Sequence, residues 1–253
     1  MIEIRDLKVS YGNKDVLQID SLNFEAGKIS VILGLNGSGK STLLKALVGI
    51  KNYEGTVLLG GKDASKMSHK KKAAFVSYLP QFMPPANLDV YTLVCHGRFP
   101  YLGYSKILGQ KDLKLVEEAL RLTDLWNLRE KGLGEISGGE RQRAYLAMVI
   151  AQNTPFILLD EPATYMDIKH QLEVMELLKK LSGQGRGIIF SSHDLPQSFS
   201  TADSVFLLKE GSLVESGSPE KIAENSERLR DAMGIGIKKV SDEESVYKYG
   251  VCK

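Results

Sequence analysis

The strongest chemical signal in the chain is a glycine-rich stretch from Gly34 to Thr42, which reads Gly-Leu-Asn-Gly-Ser-Gly-Lys-Ser-Thr. It fits the pattern G-x-x-x-x-G-K-[ST], whose backbone cradles phosphates. An apolar run typical of a strand, residues 29–33, leads into it, and a helical pattern, residues 43–48, follows. Because strand, loop, lysine, hydroxyl and helix come in the required order, a chance match explains this stretch poorly.

Each residue type in this stretch has a task toward a nucleoside triphosphate. The glycines lack Cβ, so the backbone can curl and aim its N–H groups at phosphate oxygens. The helix that follows presents its positive end to the same place. Lys40 can reach the β- and γ-phosphates, and Ser41 can give an oxygen to Mg²⁺. The sequence thus predicts an ATP and Mg²⁺ site formed by Gly34, Asn36, Gly37, Ser38, Gly39, Lys40, Ser41 and Thr42.

Two adjacent carboxylates follow a second apolar run. Residues 156–159 are all of a buried type, and Asp160 and Glu161 come directly after them. Such runs are typical of strands buried on both faces. Asp160 can hold Mg²⁺ through water, and Glu161 is placed to polarise a water for attack on the γ-phosphate. A lone aspartate after an apolar strand is common, but an Asp-Glu pair that accompanies a phosphate loop is much less so.

Two more polar residues stand at the ends of predicted core strands. Gln81 follows the run 74–79, and His193 follows the run 187–192. In an open α/β sheet, ligands bind in the crevice at the carboxyl ends of the strands. The Gln81 amide can reach Mg²⁺ or a water there. For His193, both a role at the γ-phosphate and an ordinary structural histidine fit the position.

A second helix start also has the features of an anion site. Ser137 stands where an N-cap is expected, and Gly138 and Gly139 free the backbone at the first helical turn, before Glu140. A plain capped helix fits the same pattern, but the double glycine and the glutamate weigh against it. One chain therefore offers two phosphate-binding helix starts.

An aromatic residue near the start of the chain is a candidate surface for adenine. Tyr11 lies between two alternating, strand-like stretches, residues 2–10 and 16–25. An aromatic ring gives a base a face to stack on. A tyrosine at a turn is more often structural, so the residues alone leave both interpretations open.

Composition narrows the class of protein. The 253 residues, 25% charged and 43% apolar, are typical of a globular protein of one large or two small domains. The net charge of +2 does not indicate nucleic acid as a partner. Cys95 and Cys252 lie far apart, which favours a reducing compartment without disulfides. No apolar run reaches the ~18 residues of a membrane span, and the alternating start shows no signal peptide. We expect a cytoplasmic chain that reaches a membrane only through a partner.

The pattern of elements predicts an α/β core with a helical insertion. Strand-like runs dominate up to about residue 87, and helical periodicity replaces them from about 88 to 152. Strand and helix patterns then alternate again up to residue 225. The stretch after residue 225 has short helical patterns and a mixed tail whose role the sequence does not indicate.

Taken in order, the motifs resemble those of the ATP-binding subunit of an ABC transporter, over about residues 1–225. The resemblance implies the following roles: Walker A for 34–42, an adenine-stacking A-loop for Tyr11, the Q-loop for Gln81, the signature motif for Ser137, Gly138, Gly139 and Glu140, Walker B for Asp160, the catalytic glutamate for Glu161, the end of the D-loop for Asp167 and the switch histidine for His193.

The resemblance also implies the fold. We expect a P-loop NTPase (RecA-like) α/β core with an N-terminal antiparallel β subdomain and an inserted α-helical subdomain, all within one ABC ATPase domain. The expected boundaries are 1–87 and 153–225 for the core with its β subdomain, 88–152 for the helical subdomain, and 226–253 for a C-terminal tail.

Two departures from the commonest family pattern carry information. Glu140 replaces the usual glutamine of the signature, and the D-loop, residues 163–167, reads Ala-Thr-Tyr-Met-Asp. A threonine-tyrosine-apolar-aspartate D-loop, followed by Ile168, His170 and Gln171, is similar to that of importers of iron siderophores, haem and cobalamin. The stretch 97–101, Gly-Arg-Phe-Pro-Tyr, is similar to the same group.

The resemblance implies how one chain with two phosphate sites works. Two subunits face each other head to tail, and each ATP lies between Lys40 of one and the signature residues of the other. Ser41, Gln81 and Asp160 hold Mg²⁺, Glu161 polarises the attacking water, and His193 contacts the γ-phosphate. The helical subdomain and the loop after Gln81 pass the motion to a membrane permease, which a substrate-binding protein supplies with cargo.

Three other classes of function stay open at this point. One is an ABC ATPase that works without a permease. The DNA-repair type usually carries long coiled-coil insertions and the translation type usually carries two ATPase domains, and this sequence has neither. An iron–sulfur assembly ATPase is harder to exclude. Another is a P-loop phosphotransferase, which has no use for the signature residues. The last is a nucleotide-sensing module without catalysis, but the presence of the candidate catalytic residue Glu161 argues against it.

Overall fold

The computed structural model describes residues 1–83, 86–103, 107–164, 166–224, 226–241 and 246–251, with backbone alone for 226, 236–241 and 246–251. The strands are β1 (Ile2–Tyr11), β2 (Lys14–Phe24), β3 (Ile29–Leu33), β4 (Glu54–Leu59), β5 (Lys62–Asp63), β6 (Val76–Leu79), β7 (Phe156–Asp160), β8 (Gly187–Ser192), β9 (Ser204–Lys209), β10 (Ser212–Gly217), β11 (Ile235–Ser241) and β12 (Val246–Val251). The helices are α1 (Lys40–Leu47), α2 (His69–Ala73), α3 (Val90–His96), α4 (Gln110–Leu122), α5 (Gly138–Ala151), α6 (Ile168–Gly183), α7 (Leu195–Thr201), α8 (Pro219–Glu224) and α9 (Ser226–Met233), with single 3₁₀ turns at Ala64–Lys66, Phe99–Tyr101 and Trp126–Leu128.

Ten of these strands form one sheet in the order β5-β4-β1-β2-β10-β9-β3-β8-β7-β6. The five strands from β9 to β6 pair in parallel, and β1, β2, β4 and β5 pair antiparallel. Strand β10 joins the two parts, because it pairs antiparallel with β9 and touches β2 through Ser212 and Gln18. The predicted α/β core with an antiparallel N-terminal part is confirmed, and the two parts share one continuous sheet.

The parallel strands are mostly apolar, and their two faces are both covered by other parts of the chain. Every residue of β3 and β7 is buried. Successive side chains point to opposite faces: Leu158 packs on the same side as α1, whereas Ile157 and Leu159 join the cluster that contains residues of α5, α6 and α7. The layered core follows directly from these continuous apolar runs.

Helices α3, α4 and α5 pack against one another and form the helical part between β6 and β7. Arg98 is 5% exposed and fastens this part together. Its Nε donates to Asp112 Oδ1 at 2.9 Å, and its Nη1 donates to the carbonyls of Ala151 and Gln152 at 2.8 and 2.9 Å. The arginine of the 97–101 stretch therefore ties the start of α4 to the end of α5.

The end of the chain adds a hairpin outside the large sheet. Strands β11 and β12 pair with each other as a separate two-stranded sheet. Strand β11 contacts α8 and α9, and β12 contacts α7. The tail thus packs on the helix that follows His193.

Candidate nucleotide site

The predicted chemical residues meet at one edge of the parallel sheet. The phosphate loop follows β3, Gln81 follows β6, Glu161 follows β7 and His193 follows β8. Parallel strands have their carboxyl ends at the same edge, so residues far apart in sequence come together there. An open cavity of about 340 Å³ lies at this edge and is lined by Val16, Asn36, Gly37, Gly39, Lys40, Ser41, Thr42, Gln81 and Glu161.

The loop between β3 and α1 has the geometry that a phosphate needs. Gly37 and Gly39 adopt φ of 83° and 103°, a left-handed backbone that residues with a Cβ rarely adopt. Gly39 is the N-cap of α1 and makes no side-chain cap, so N–H groups of the first turn stay available. The buried Ser38 hydroxyl has no hydrogen-bond partner among the described residues. These donors fit the triphosphate of ATP.

Lys40 is held inside the loop by the loop's own carbonyls. Its Nζ donates to the carbonyl oxygens of Gly34 and Leu35 at 2.7 and 3.2 Å, and the residue is 6% exposed. Burial lowers the pKa of Lys40 below its ordinary value, while the nearby Glu161 and Asp160 oppose that effect. Phosphate oxygens would favour the charged ammonium in the same way as these carboxylates.

Asp160 is buried and anchored by two hydroxyl groups. It is 2% exposed, Ser191 Oγ donates to its Oδ1 at 2.6 Å, and the Tyr78 hydroxyl donates to its Oδ2 at 3.4 Å. Burial, together with the charge and hydrogen bond of Asp160, raises the pKa of Tyr78 well above its ordinary value, so the phenol stays a donor. The two donors hold the buried carboxylate in one orientation at the end of β7.

Glu161 is the centre of the hydrogen-bond network at this edge. Its carboxylate oxygen Oε2 accepts from Gln81 Nε2 at 2.9 Å and from Thr164 Oγ1 at 3.1 Å, and His193 Nδ1 lies 3.3 Å away. The residue is 8% exposed and adopts φ of +51°, which is uncommon for a residue other than glycine. Its backbone N–H donates to Ser191 Oγ at 3.0 Å, which holds this kinked backbone in place. Strain of this kind is often found where a reactive side chain must be aimed.

The predicted signature residues form a capped helix start away from this cavity. Ser137 Oγ accepts from the Glu140 N–H at 3.2 Å, and Glu140 Oε2 accepts from the Ser137 N–H at 2.7 Å, which is a capping box. These hydrogen bonds lower the pKa of Glu140 below its ordinary value. A Cβ built on Gly138 or Gly139 would meet no atom within 4 Å. None of these four residues lines the 340 Å³ cavity in the part of the chain that the structure describes.

Asp167 and Tyr11 also lie outside that lining as described. Asp167 caps α6 by accepting from the His170 N–H at 3.0 Å, and the predicted D-loop residue Tyr165 lies outside the described residues. Tyr11 is 47% exposed, and the Lys51 ammonium sits 3.5 Å from the centre of its ring. One face of the tyrosine is therefore already used in a cation–π contact.

Four residues at this edge escaped the sequence analysis: Val16, Tyr78, Thr164 and Ser191. Val16 looks like an ordinary strand residue, yet it lines the cavity from the N-terminal hairpin. Tyr78 lies three residues before Gln81, and Ser191 lies two residues before His193. Their position near the ends of core strands was the available signal, but their partners could be seen only in three dimensions.

The chain is similar to proteins of a known family. Residues 17–164 match the ABC transporter family. The iron(3+)-hydroxamate import ATP-binding protein FhuC of Bacillus subtilis is 37% identical over 85% of this chain and 81% of that protein. The petrobactin import ATP-binding protein FpuD of Bacillus anthracis is 38% identical over 88% and 83%, and the ferric enterobactin transport ATP-binding protein FepC of Escherichia coli is 35% identical over 88% and 84%.

Solved structures show the same architecture. An inward-facing ABC transporter assigned to the metal-chelate type has a TM-score of 0.84 at 25% identity and covers 100% of this chain and 97% of the other. A dimeric bacterial ABC transporter cassette has a TM-score of 0.78 at 25% identity, over 87% and 99%. Within the described residues, no helix is long and apolar enough to cross a bilayer. The chain belongs to the ABC transporter family and is one of its ATP-binding ATPase subunits.

Proposed function

We propose that this chain hydrolyses ATP to drive an importer of ferric siderophores. The observation that carries the proposal is the meeting of Gln81, His193 and Thr164 on one oxygen of Glu161, at the mouth of the phosphate cavity. This arrangement supports hydrolysis rather than mere nucleotide sensing. Relatives named for ferric hydroxamate, petrobactin and enterobactin import support the cargo class.

In this proposal the phosphate loop and the strand ends divide the work. Lys40 and the N–H groups of the loop hold the β- and γ-phosphates of ATP, and Thr42 continues the loop into α1. Ser41, Gln81 and Asp160 would hold Mg²⁺, which neutralises charge on the phosphates when bound. The oxygen-rich set of hydroxyl, amide and carboxylate suits that hard cation.

Glu161 acts as the general base in this mechanism. It takes a proton from the water that attacks the γ-phosphorus, and the β–γ bridging bond breaks to leave ADP and phosphate. The Gln81 amide and the Ser191-held backbone keep the carboxylate at the cavity. His193 is 61% exposed at the side chain and contacts Glu161, so it is free to turn toward the γ-phosphate.

A second copy of the chain completes the site. ABC ATPase cassettes form dimers, as one of the similar structures does. In a head-to-tail homodimer, the exposed start of α5, with Ser137, Gly138, Gly139 and Glu140, would cap the ATP held by the partner, and Asp167 and Tyr11 would line the completed site. The open space around the two glycines is what allows such a close approach.

Exposed apolar side chains mark where a membrane permease would dock. Phe82 follows Gln81 directly and is 81% exposed, and Phe99 and Ile107 in the helical part are 55% and 76% exposed. Exposed aromatic and aliphatic residues of this size are typical of interaction surfaces. We propose that residues 88–152 form a helical subdomain that rotates against the core, residues 1–87 and 153–225, and that residues 226–253 form a tail. The permease would hold the chain at the inner face of the membrane and would receive cargo from a substrate-binding protein.

Uptake of iron chelates tests this function. Uptake of a panel of radioiron-labelled siderophores is measured in cells that carry the wild-type chain and in cells that carry its Lys40→Ala form. As the control, the two chains must be present in equal amounts in the membrane fraction. We expect uptake of one chelate to collapse in the Lys40→Ala cells, because the buried ammonium that holds the phosphates is lost. Normal uptake of every chelate would overturn the siderophore assignment, and haem and cobalamin would be tested next.

A further inference from the structure

We propose that Thr164 is a positioning residue for Glu161, which fixes one carboxylate oxygen so that the other receives the proton of the attacking water. This inference rests on the proposed role of Glu161 as the general base. It assigns a task to a threonine that until now stands only as one letter of the D-loop pattern, and it starts from the geometry of a single turn.

The turn that follows β7 brings the threonine hydroxyl to the carboxylate. The Thr164 N–H donates to the Glu161 carbonyl at 3.3 Å, which closes a four-residue turn through Pro162 and Ala163. The φ of +51° at Glu161 starts this turn. As a result, Thr164 Oγ1 donates to Glu161 Oε2 at 3.1 Å. Thr164 therefore contacts Glu161 twice, through a backbone hydrogen bond and through a hydrogen bond between the two side chains.

The contacts of Glu161 are unequal between its two oxygens. Gln81 Nε2, Thr164 Oγ1 and His193 Nδ1 all lie on Oε2, and no described residue donates a hydrogen bond to Oε1. An ionised carboxylate offers about four lone-pair sites over both oxygens. Because Oε2 is occupied on several sides, Oε1 is the oxygen that remains for a water at the γ-phosphate.

Thr164 is the nearest in sequence of the three residues that contact Oε2. Gln81 and His193 sit on loops after other strands, and both have further tasks toward Mg²⁺ and phosphate in the proposed mechanism. Thr164 lies only three residues from Glu161, and Gln171 Nε2 fixes the same loop by donating to the carbonyls of Ala163 and Met166 at 3.3 and 3.1 Å. When ATP draws Gln81 and His193 away, the threonine hydroxyl would remain to orient the base.

A pair of substitutions separates a hydrogen-bonding role from a packing role. Thr164→Val keeps the shape and removes the hydroxyl, whereas Thr164→Ser keeps the hydroxyl and removes a methyl group. We expect Thr164→Val to lower kcat for ATP hydrolysis about 10- to 100-fold, as for loss of a hydrogen bond to a charged group, with little change in KM. We expect Thr164→Ser to stay within about threefold of the wild type.

The opposite pattern would overturn the inference. If Thr164 only fills space, Thr164→Val turns over normally and Thr164→Ser is the weaker enzyme. Thr123→Val is the control, because the Thr123 hydroxyl also makes a hydrogen bond that valine would lose, to the Ala119 carbonyl at 2.9 Å in the helical part; its kcat should be unchanged. Equal binding of a fluorescent ATP analogue by all three variants shows that the phosphate site is intact.

A parallel measurement on Glu161→Gln tells the two proposals apart. If Glu161→Gln hydrolyses ATP normally, the general-base role itself is wrong. If Glu161→Gln is inactive while Thr164→Val turns over like the wild type, the base is correct and the positioning role of Thr164 is wrong.

Discussion

Two phosphate-binding regions of this molecule differ in how much of their structure is already assembled. At the carboxyl edge of the parallel sheet, Lys40, Asp160 and Glu161 are buried and held by hydrogen bonds from other elements. At the start of α5, Ser137 and Glu140 satisfy each other, and the glycines between them face open space. In the proposed mechanism the first region holds ATP within one chain, whereas the second is a surface that meets the nucleotide of a partner chain.

The contrast also shows in the electrostatics. Burial lowers the pKa of Lys40, so binding of phosphates relieves an unfavourable state of the free protein. The Glu140 carboxylate already compensates the positive end of α5 and accepts hydrogen bonds there. We therefore propose that the phosphate loop gains more from an anion than the exposed helix start does, so that ATP binds to the loop before a second chain closes on it.

The largest effect is expected at the buried edge. Glu161→Gln keeps the shape and the contacts of the side chain but removes its ability to take a proton. We expect kcat to fall about 1,000-fold, or ~4 kcal/mol, with ATP binding retained. The variant should stay as an ATP-bound dimer, which size-exclusion chromatography with ATP measures. Turnover at the wild-type rate would show that Glu161 is not the general base.

A substitution at the start of α5 tests whether this region contacts the nucleotide of a partner chain. Gly139→Asp has room for its side chain and suits the first turn of a helix, so the monomer should fold and bind ATP as before. In the dimer, the new carboxylate would face the partner's γ-phosphate, and we expect turnover to fall about 100-fold, or ~2.7 kcal/mol, by like-charge repulsion.

The control for this variant is Gly183→Asp, at the exposed end of α6, where an added Cβ also meets nothing and the backbone φ is not positive. Loss of ATP affinity in monomeric Gly139→Asp would mean that the helix start already contributes to the ATP site of its own chain. The two regions would then not be separate.

A third prediction concerns stability rather than chemistry. Arg98→Ala removes a buried guanidinium that binds Asp112 and two carbonyls at the end of α5. We expect the free energy of unfolding to fall by about 2 kcal/mol, as for loss of charge-assisted hydrogen bonds, measured by urea denaturation. Lys114→Ala, which loses an exposed ion pair with Glu118 on the same helix, is the control and should change stability by less than about 0.5 kcal/mol. Equal effects of both would show that Arg98 does not hold the helical part together.

The smallest effect is expected from the capping box. Glu140→Ala should destabilise α5 by about 0.5–1 kcal/mol, and Glu140→Gln should cost less because an amide oxygen can still accept the Ser137 N–H. The pKa of Glu140 is lowered from its ordinary value of 4.5, so its stabilisation is present above that value and is lost as the pH falls through the lowered pKa.

Thermal unfolding between about pH 6 and 3 checks this, since the difference between wild type and Glu140→Gln should disappear at the acid end. A difference that stays constant over this range would exclude the charge of Glu140 as its source.

Much of the fold and site could be predicted from local patterns. The apolar runs of β3, β7 and β8 predict buried parallel strands, and the polar residues that end them predict the reactive edge, because strand ends of a parallel sheet coincide. Glu140 shows a limit of this reasoning: the sequence marks it as a departure from the usual signature, and only the structure shows that it serves as the N3 partner of a capping box.

What the sequence determined by itself is the set of reactive residues and the strands and helices that carry them, since phosphate loops, caps and core strands each depend on neighbours in the chain. What only the tertiary structure decided is which atoms meet: Ser191 between Asp160 and the Glu161 backbone, the contacts of Gln81, Thr164 and His193 with one oxygen of Glu161, and Val16 at the phosphate cavity. The physical reason is that these contacts join strands separated by tens of residues, so their geometry is set by sheet order and packing rather than by any local pattern.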